Sequence, residues 1–232
     1  MPANSHDVRL IHEGGTLSAV WAIGNNAICK VHRWSSDTTS ESKTIKFIQG
    51  KAHQVPVPEV VYSWEDGNRS FWVLKRVPDI TLREAWGTMS ATEQASILDE
   101  VVSICDILAS VTSERLQNVY GGPVLEPYLA HSGQDSLEPL TVSESRRYFF
   151  REDLRPNPEI EGRFHLYHPD LGPGNILVSS QSQRLSAIID WECAGVLPTF
   201  LDCNKAFCVS GPGLPSANSR YRWKVNGESD SE

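Results

Sequence analysis

The chain has 232 residues, of which 40% are hydrophobic and 22% are charged, and its formal net charge is −8. This length and composition are typical of a globular protein large enough for one sizeable domain or two lobes. The acidic balance argues against nucleic acid or an anionic membrane as the main partner, because either would require a basic face.

The sequence contains no stretch of the roughly 20 apolar residues that a membrane-spanning helix needs, and its N-terminus lacks the layout of a signal peptide. The five cysteines are odd in number, scattered, and without the paired spacing of a zinc site. We therefore expect buried thiols in a reducing compartment, and a cytoplasmic protein.

The first part of the chain, residues 8–77, predicts a small α+β lobe with an antiparallel sheet. Gly24-Asn25-Asn26 separates two apolar runs and is typical of a hairpin turn. The prolines of segment 55–58 exclude a helix there. In chain order the predicted elements are strands at 18–23 and 27–32, a helix at 37–50, and strands at 59–64 and 71–77, the last two joined by a polar turn at 65–69.

A second lobe is predicted over residues 78–210, with the boundary near 75–80. Ser90-Ala-Thr-Glu93 is a capping box, and the apolar residues that follow it repeat at helical spacing, which predicts a central helix. Residues 112–140 are rich in loop formers. The polar residues 211–232 are expected to be disordered.

The segment 164–178 carries the strongest functional pattern. His168, Asp170 and Asn175 precede an apolar strand, and a second apolar strand at 187–189 ends in Asp190. Phosphoryl transfer needs a carboxylate to orient the acceptor hydroxyl and accept its proton, and an amide and a second carboxylate to hold Mg²⁺. Two strands that end side by side would bring Asn175 and Asp190 together. The pattern therefore predicts a catalytic site that uses ATP and Mg²⁺.

Each of these residues also has a simpler explanation. A lone His-Pro-Asp tripeptide is usually a turn, and Asp190 could cap a helix. His165, His168 and Asp170 suggest a zinc site, but they lack the helical spacing of a metalloprotease. The sequence has neither the G-x-G-x-x-G loop nor the A-P-E segment of protein kinases, which disfavours that class.

The stretches HPDLGPGNILV at 168–178 and IIDWE at 188–192 resemble the Brenner motif region of the aminoglycoside phosphotransferase and choline kinase superfamily, most closely its fungal phosphotransferase-enzyme branch. Weaker similarities cover roughly residues 10–207. The resemblance implies a two-lobed protein-kinase-like fold, with a small β-rich N-terminal lobe and a mainly helical C-terminal lobe.

On the nucleotide side, the resemblance implies that Lys30 contacts the α- and β-phosphates of ATP and that Glu41 pairs with Lys30. It also implies that the backbone from Lys75 to Val77 binds adenine. Lys30 lies in an apolar strand, where an unpaired ammonium would be costly unless its stem reaches water. Thr38-x-x-Glu41 is itself a capping-box pattern, so Glu41 as a helix cap remains an alternative.

On the catalytic side, the resemblance implies that Asp170 is the base and that Asn175 and Asp190 are the magnesium ligands. His168 is expected to support the catalytic loop as a structural residue.

The acceptor is expected to be a small hydroxylated molecule, and its identity cannot be derived from the sequence; nor can the oligomeric state. Relatives continue after the metal-binding aspartate through several helices that complete the acceptor pocket, so a truncated C-terminal lobe is expected here. Two alternatives to a phosphotransferase stay open. One is a non-catalytic, kinase-like nucleotide-binding or interaction module, and the other is a metal hydrolase that uses His168 and Asp170.

Overall fold

The structure is a computed structural model, and it describes residues 7–15, 18–33, 39–125, 136–149, 160 and 162–198. Within these residues a β-rich N-terminal sheet is followed by helices and short strands, which confirms the predicted α+β class. The predicted tail at 211–232 lies outside the described residues.

The N-terminal part is a five-stranded antiparallel sheet with one helix. Its elements are β1 (Val8–Gly14), β2 (Ser18–Ile23), β3 (Ala27–Arg33), α1 (Glu41–Lys51), β4 (Val60–Asp66) and β5 (Arg69–Lys75). The strands lie in the order β1-β2-β3-β5-β4. The predicted hairpin between β2 and β3 is confirmed, and Gly24 in its turn has a φ of 57°. Lys30 of β3 lies directly opposite Trp72 of β5, so both side chains emerge on the same face of the sheet.

Several boundaries differ from the predictions, including the start of α1, which lies at Glu41 instead of residue 37. The helix α1 continues through Gly50 to Lys51, where we expected Gly50 to end it. The turn between β4 and β5 is shorter than the predicted 65–69, because Gly67 adopts a φ of 57° and closes a tight hairpin with Asn68. Strand β5 ends at Lys75 rather than at residue 77, because its partner β3 begins at Ala27 opposite Lys75.

The remaining described residues form four helices or helical turns and ten short strands. In chain order they are β6 (Ile80–Thr81), α2 (Leu82–Ala85), a 3₁₀ turn (Trp86–Thr88), α3 (Ala91–Ala109), β7 (Thr112–Ser113), β8 (Arg115–Asn118), β9 (Val124–Leu125), β10 (Ser136–Leu137), β11 (Leu140–Thr141), α4 (Val142–Phe149), β12 (Phe164–Tyr167), β13 (Ile176–Val178), β14 (Leu185–Ile188) and β15 (Gly195–Leu197). The segment predicted as rich in loops at 112–140 thus holds several two- to four-residue strands.

Helix α3 is the longest element and begins as predicted. The Ser90 hydroxyl accepts a hydrogen bond from the Glu93 backbone N–H, and the Glu93 carboxylate accepts one from the Ser90 N–H, which confirms the capping box. Ile97, Val101 and Leu108 are buried along one face of the helix. They pack in a core that also includes residues of α1, β5, β13 and β14.

A three-stranded sheet in the order β14-β13-β6 positions the functional loops. Because β13 and β14 are antiparallel, the start of β13 lies beside the end of β14. The Pro56 carbonyl, in the segment that links α1 to β4, accepts a hydrogen bond of 2.8 Å from the Ile188 N–H of β14. This bond connects the N-terminal part to the β13–β14 hairpin. In the described part of the chain no helix combines the length and apolar character needed to cross a membrane.

Candidate active site

Lys30 bridges two carboxylates that come from distant parts of the chain. Its Nζ lies 2.7 Å from Glu41 Oε2 and 2.8 Å from Asp190 Oδ1. Burial by itself would lower the pKa of Lys30, but attraction to Glu41 and Asp190 outweighs burial, and the pKa lies above its ordinary value. Lys30 is therefore a permanently charged group held between β3, α1 and the end of β14.

Glu41 is the first residue of α1, and its side chain is fully buried. Its carboxylate accepts hydrogen bonds from Lys30 Nζ, from Trp72 Nε1 at 3.0 Å, and from the Trp191 backbone N–H at 3.2 Å. Thr38, the partner in the alternative capping box, lies outside the described residues. The cap position of α1 is Ser40, which makes no side-chain capping bond. The carboxylate of Glu41 thus bonds to other segments and not to its own helix.

Two of the groups that hold Glu41 were missed in the sequence. Trp72 is 2% exposed and Trp191 is completely buried, and a buried tryptophan in an apolar context predicts only core packing. The register of β3 and β5, which places Trp72 opposite Lys30, is the feature that identifies its role. Trp191 contributes its backbone, so its side-chain type gives no indication of this contact.

Asp190 lies two residues after β14, in a backbone conformation that is unusual for a residue other than glycine. Its φ is 69°, in the left-handed region that aspartate tolerates better than most residues. Burial would raise the pKa of Asp190, but the charge of Lys30 and the hydrogen bond to it hold the pKa below its ordinary value. The side chain is 37% exposed, so the carboxylate is paired on one side and open to solvent on the other.

His168 is a buried structural group in the described geometry. Its Nδ1 accepts the Asp170 backbone N–H at 3.2 Å, so the ring hydrogen lies on Nε2, which donates to the Ile189 carbonyl at 3.0 Å. Burial lowers the pKa of His168 and outweighs the attraction of nearby Asp190 and Asp170. A neutral imidazole with both nitrogens occupied fixes the loop that carries Asp170.

Asp170 and Asn175 are joined directly. The Asn175 amide nitrogen Nδ2 donates to the Asp170 carbonyl and to Asp170 Oδ2, both at 2.8 Å. Two backbone hydrogen bonds close the loop between them. The Gly172 N–H donates to the Asp170 carbonyl, and the Asn175 N–H donates to the Gly172 carbonyl. Because Nδ2 is used within the loop, the amide oxygen of Asn175 is the atom that can bind a cation.

The two groups of residues meet through the β13–β14 hairpin. The Ile189 N–H donates to the Asn175 carbonyl at 2.9 Å, and the Ile189 carbonyl accepts from His168. Asp190 follows directly and reaches Lys30. One network, made of hydrogen bonds and the peptide link from Ile189 to Asp190, therefore joins Lys30, Glu41 and Asp190 to His168, Asp170 and Asn175.

Lys75 and Val77 lie outside this network. The Lys75 side chain is exposed and lies 3.6 Å from Glu59, and its backbone N–H donates to the Glu59 carbonyl. The Arg76 N–H donates to the Asn26 carbonyl. Among the described residues the Val77 N–H has no hydrogen-bond partner, so it is the N–H of this segment that can bind a ligand.

The residues predicted to bind magnesium have suitable chemistry and positions. Carboxylate and amide oxygens are ligands that Mg²⁺ accepts, and it takes water at its other positions. The open side of Asp190 and the Asn175 amide oxygen belong to the adjoining ends of β14 and β13. Within the described ranges no three His, Cys, Asp or Glu side chains are grouped as metal ligands, so a metal hydrolase has no such cluster there.

Glu192 adds a further acidic group beside the site. Burial and repulsion from Asp190 raise the pKa of its carboxyl above the ordinary value. The sequence motif contains this residue, but its spacing gave no role for it.

Comparison with known proteins gives a family and a fold. A model of the phosphotransferase enzyme family, APH, matches residues 8–216. No match was found among curated protein sequences.

Several solved structures share the architecture at low sequence identity. The aminoglycoside phosphotransferase APH(4)-Ia, as a thermostable mutant in complex with AMP-PNP and hygromycin B, is 16% identical with a TM-score of 0.51, over 85% of this chain and 70% of that chain. Its apo form is 16% identical with a TM-score of 0.53, over 85% and 71%. APH(3'')-Id from Streptomyces rimosus ATCC10970 is 14% identical with a TM-score of 0.51, over 82% and 73%. This likeness confirms the two-lobed fold, β-rich first and helical after, that the resemblance implied.

Proposed function

The chain belongs to the phosphotransferase enzyme family, and on that premise we propose that it transfers the γ-phosphate of ATP, with Mg²⁺, to a hydroxyl group of a small molecule. The observation that carries the proposal is the network in which Lys30, Asp190, Asn175 and Asp170 converge from three segments. Residues 8–77 and 78–210 are proposed as the two lobes on either side of it.

Lys30 is the proposed phosphate-binding cation. It is charged at all ordinary pH values, because two carboxylates raise its pKa, and it is held in place before any ligand arrives. Phosphate oxygens bind strongly to a positioned ammonium in a partly desolvated site. Glu41 keeps Lys30 in position, and the free N–H of Val77, in the segment that begins at Lys75, is proposed to bind adenine.

Asp170 is the proposed catalytic base. Its carboxylate is fixed by the Asn175 amide and its backbone by His168, so one oxygen can accept the proton of an acceptor hydroxyl while the other stays bonded. Asn175 and Asp190 are the residues proposed to hold Mg²⁺. When bound, this ion would neutralise negative charge on the phosphate chain. His168 is neutral and fully bonded, which suits a positioning residue.

The decisive experiment combines nucleotide binding with product release. Binding of AMP-PNP, which one of the similar structures contains, is measured by calorimetry in the presence of Mg²⁺. ADP release is then screened against sugars, aminoglycosides, amino alcohols and choline-like amines. We expect Asp170→Asn to keep AMP-PNP affinity within about twofold and to lower turnover by about 10²–10⁴-fold, as for loss of a general base.

Asp190→Ala provides the complementary variant, because it should weaken binding of the Mg²⁺–nucleotide complex itself. Binding of AMP-PNP without turnover on any acceptor would favour a nucleotide-binding module. Turnover that survives Asp170→Asn unchanged would contradict the proposed base.

A further inference from the structure

Arg83 lies against the loop that carries Asn175, although no sequence motif includes it. It is the second residue of α2, and its backbone N–H donates to the Pro173 carbonyl at 2.9 Å. Strands β6 and β13 are paired so that Thr81 lies opposite Leu177. Continuing that antiparallel register brings Arg83 beside the two residues before β13, which are Gly174 and Asn175.

The guanidinium of Arg83 covers Gly174. A methyl group placed on Gly174 would lie 3.3 Å from Arg83 Nη2 and 3.5 Å from Cζ. The absence of a side chain at position 174 therefore lets the planar head of Arg83 rest on the loop backbone, one residue from Asn175. This contact restricts the side chain before any ligand binds.

The charge of Arg83 is not compensated within the described structure. Across the described ranges no carboxylate lies within ion-pair distance of Arg83, whereas Lys30, Lys75 and Arg184 all have acidic partners. Arg83 is exposed, so its guanidinium is open to a ligand from solvent. A guanidinium is always charged and presents a planar set of five donors that matches oxyanions.

We propose that Arg83 binds an oxyanion at the active site. The oxyanion is a phosphate group of the nucleotide or an acidic group of the acceptor. The inference rests on the proposed function, since it uses the same site, but it assigns a substrate contact to a residue outside the motif. The contact is made through Nη1, Nη2 and Nε, the donors of the guanidinium.

The test compares Arg83→Gln and Arg83→Lys with wild type in the full chain. The matched control is Arg184→Gln, since Arg184 is an exposed arginine at the far end of the β13–β14 hairpin, paired with Glu100. Calorimetry gives the Kd for AMP-PNP with Mg²⁺, for adenosine, and for pyrophosphate added to free and AMP-PNP-loaded protein. A lost charged hydrogen bond predicts a Kd about tenfold higher in Arg83→Gln. Arg83→Lys should be intermediate, because it keeps the charge without the planar fork.

A weaker AMP-PNP complex with unchanged adenosine binding would support the proposal and assign the oxyanion to the nucleotide. Unchanged AMP-PNP binding with weaker pyrophosphate binding to loaded protein would support it and assign the oxyanion to the acceptor. Equal Kd values for AMP-PNP and for pyrophosphate in Arg83→Gln, Arg184→Gln and wild type would overturn it. If Arg83→Gln does not fold, Arg83→Lys decides by the same criteria.

Failure of the proposed function gives a different result. If wild-type protein binds no AMP-PNP, the proposed kinase function is wrong, and the Kd for pyrophosphate with free protein then tests the role of Arg83 separately. Weaker pyrophosphate binding in Arg83→Gln than in wild type would support the oxyanion site, and equal binding would overturn it.

Discussion

Around Lys30 the site is assembled from side chains that are far apart in the sequence, whereas around Asp170 it is assembled from one loop and its own backbone. Lys30, Glu41 and Asp190 lie on β3, α1 and the end of β14, and Glu41 is fully buried. Asp170 is exposed, and its partners His168 and Asn175 lie within five residues of it.

The difference indicates where folding and chemistry are coupled. A buried charge must be paired, since an isolated one would be very costly, so the Lys30 cluster can form only when all three segments are correctly packed. The Asp170 carboxylate bonds within its own loop and stays open to solvent. We therefore expect substitutions in the Lys30 cluster to affect stability, and substitutions in the Asp170 loop to affect mainly turnover.

The largest expected effect on stability is that of Glu41→Leu. It leaves Lys30 with one carboxylate and leaves the N–H groups of Trp72 and Trp191 without an acceptor, so the free energy of unfolding should fall by about 3–5 kcal/mol. Asp170→Asn should change it by less than about 1 kcal/mol, because Asp170 is exposed. Urea denaturation of both variants measures the difference.

A matched surface substitution checks that the effect comes from burial. Glu59 pairs with Lys75, and both side chains are mostly exposed, so Glu59→Gln should cost less than about 1 kcal/mol. Equal losses in Glu41→Leu and Asp170→Asn would contradict the distinction between the two groups.

The same distinction explains what the sequence could predict. The local pattern His168, Asp170 and Asn175 and the capping box of α3 depend on neighbours a few residues apart, so their spacing is visible in the sequence. The hydrogen bond from Trp72 to Glu41 depends on strand register and on where α1 begins, and Arg83 depends on the pairing of β6 with β13. Neither arrangement leaves a pattern at short range.

Trp72→Phe should have a smaller effect than loss of Glu41. It keeps a buried aromatic ring opposite Lys30 but removes the indole N–H that donates to the Glu41 carboxylate. A lost hydrogen bond to a charged group should lower the free energy of unfolding by about 1.5–3 kcal/mol. Denaturant titration followed by circular dichroism is suitable, because removing a tryptophan changes the fluorescence signal.

Trp86→Phe is the control for Trp72→Phe. The indole N–H of Trp86 is buried and has no hydrogen-bond partner among the described residues, so its removal deletes an unsatisfied donor and should be close to neutral. If Trp86→Phe destabilises the protein as much as Trp72→Phe, the loss reflects ring volume and the bond to Glu41 contributes little.

The smallest expected effect is a pH dependence that arises from His168. Burial holds the pKa of folded His168 below its ordinary value of 6.5. As the pH falls, His168 is therefore protonated more readily in the unfolded chain than in the folded one. The contribution of neutral His168 to the free energy of unfolding is therefore fully present above pH 6.5 and is lost as the pH falls below it. Wild type is compared with His168→Asn, which has no ionisable group at this position, so that the contributions of all other groups cancel.

The difference in free energy of unfolding between wild type and His168→Asn should narrow by about 1 kcal/mol between pH 7.5 and 5.5, since one proton contributes at most about 1.4 kcal/mol per pH unit. At pH 7.5 wild type should be the more stable of the two, because asparagine cannot reach both the Asp170 N–H and the Ile189 carbonyl as the ring does. A difference that stays constant across this range would mean that His168 binds its proton in the folded protein as readily as in the unfolded chain. The Nδ1 lone pair would then not be committed to the Asp170 N–H, and the proposed support of the Asp170 backbone by His168 would be wrong.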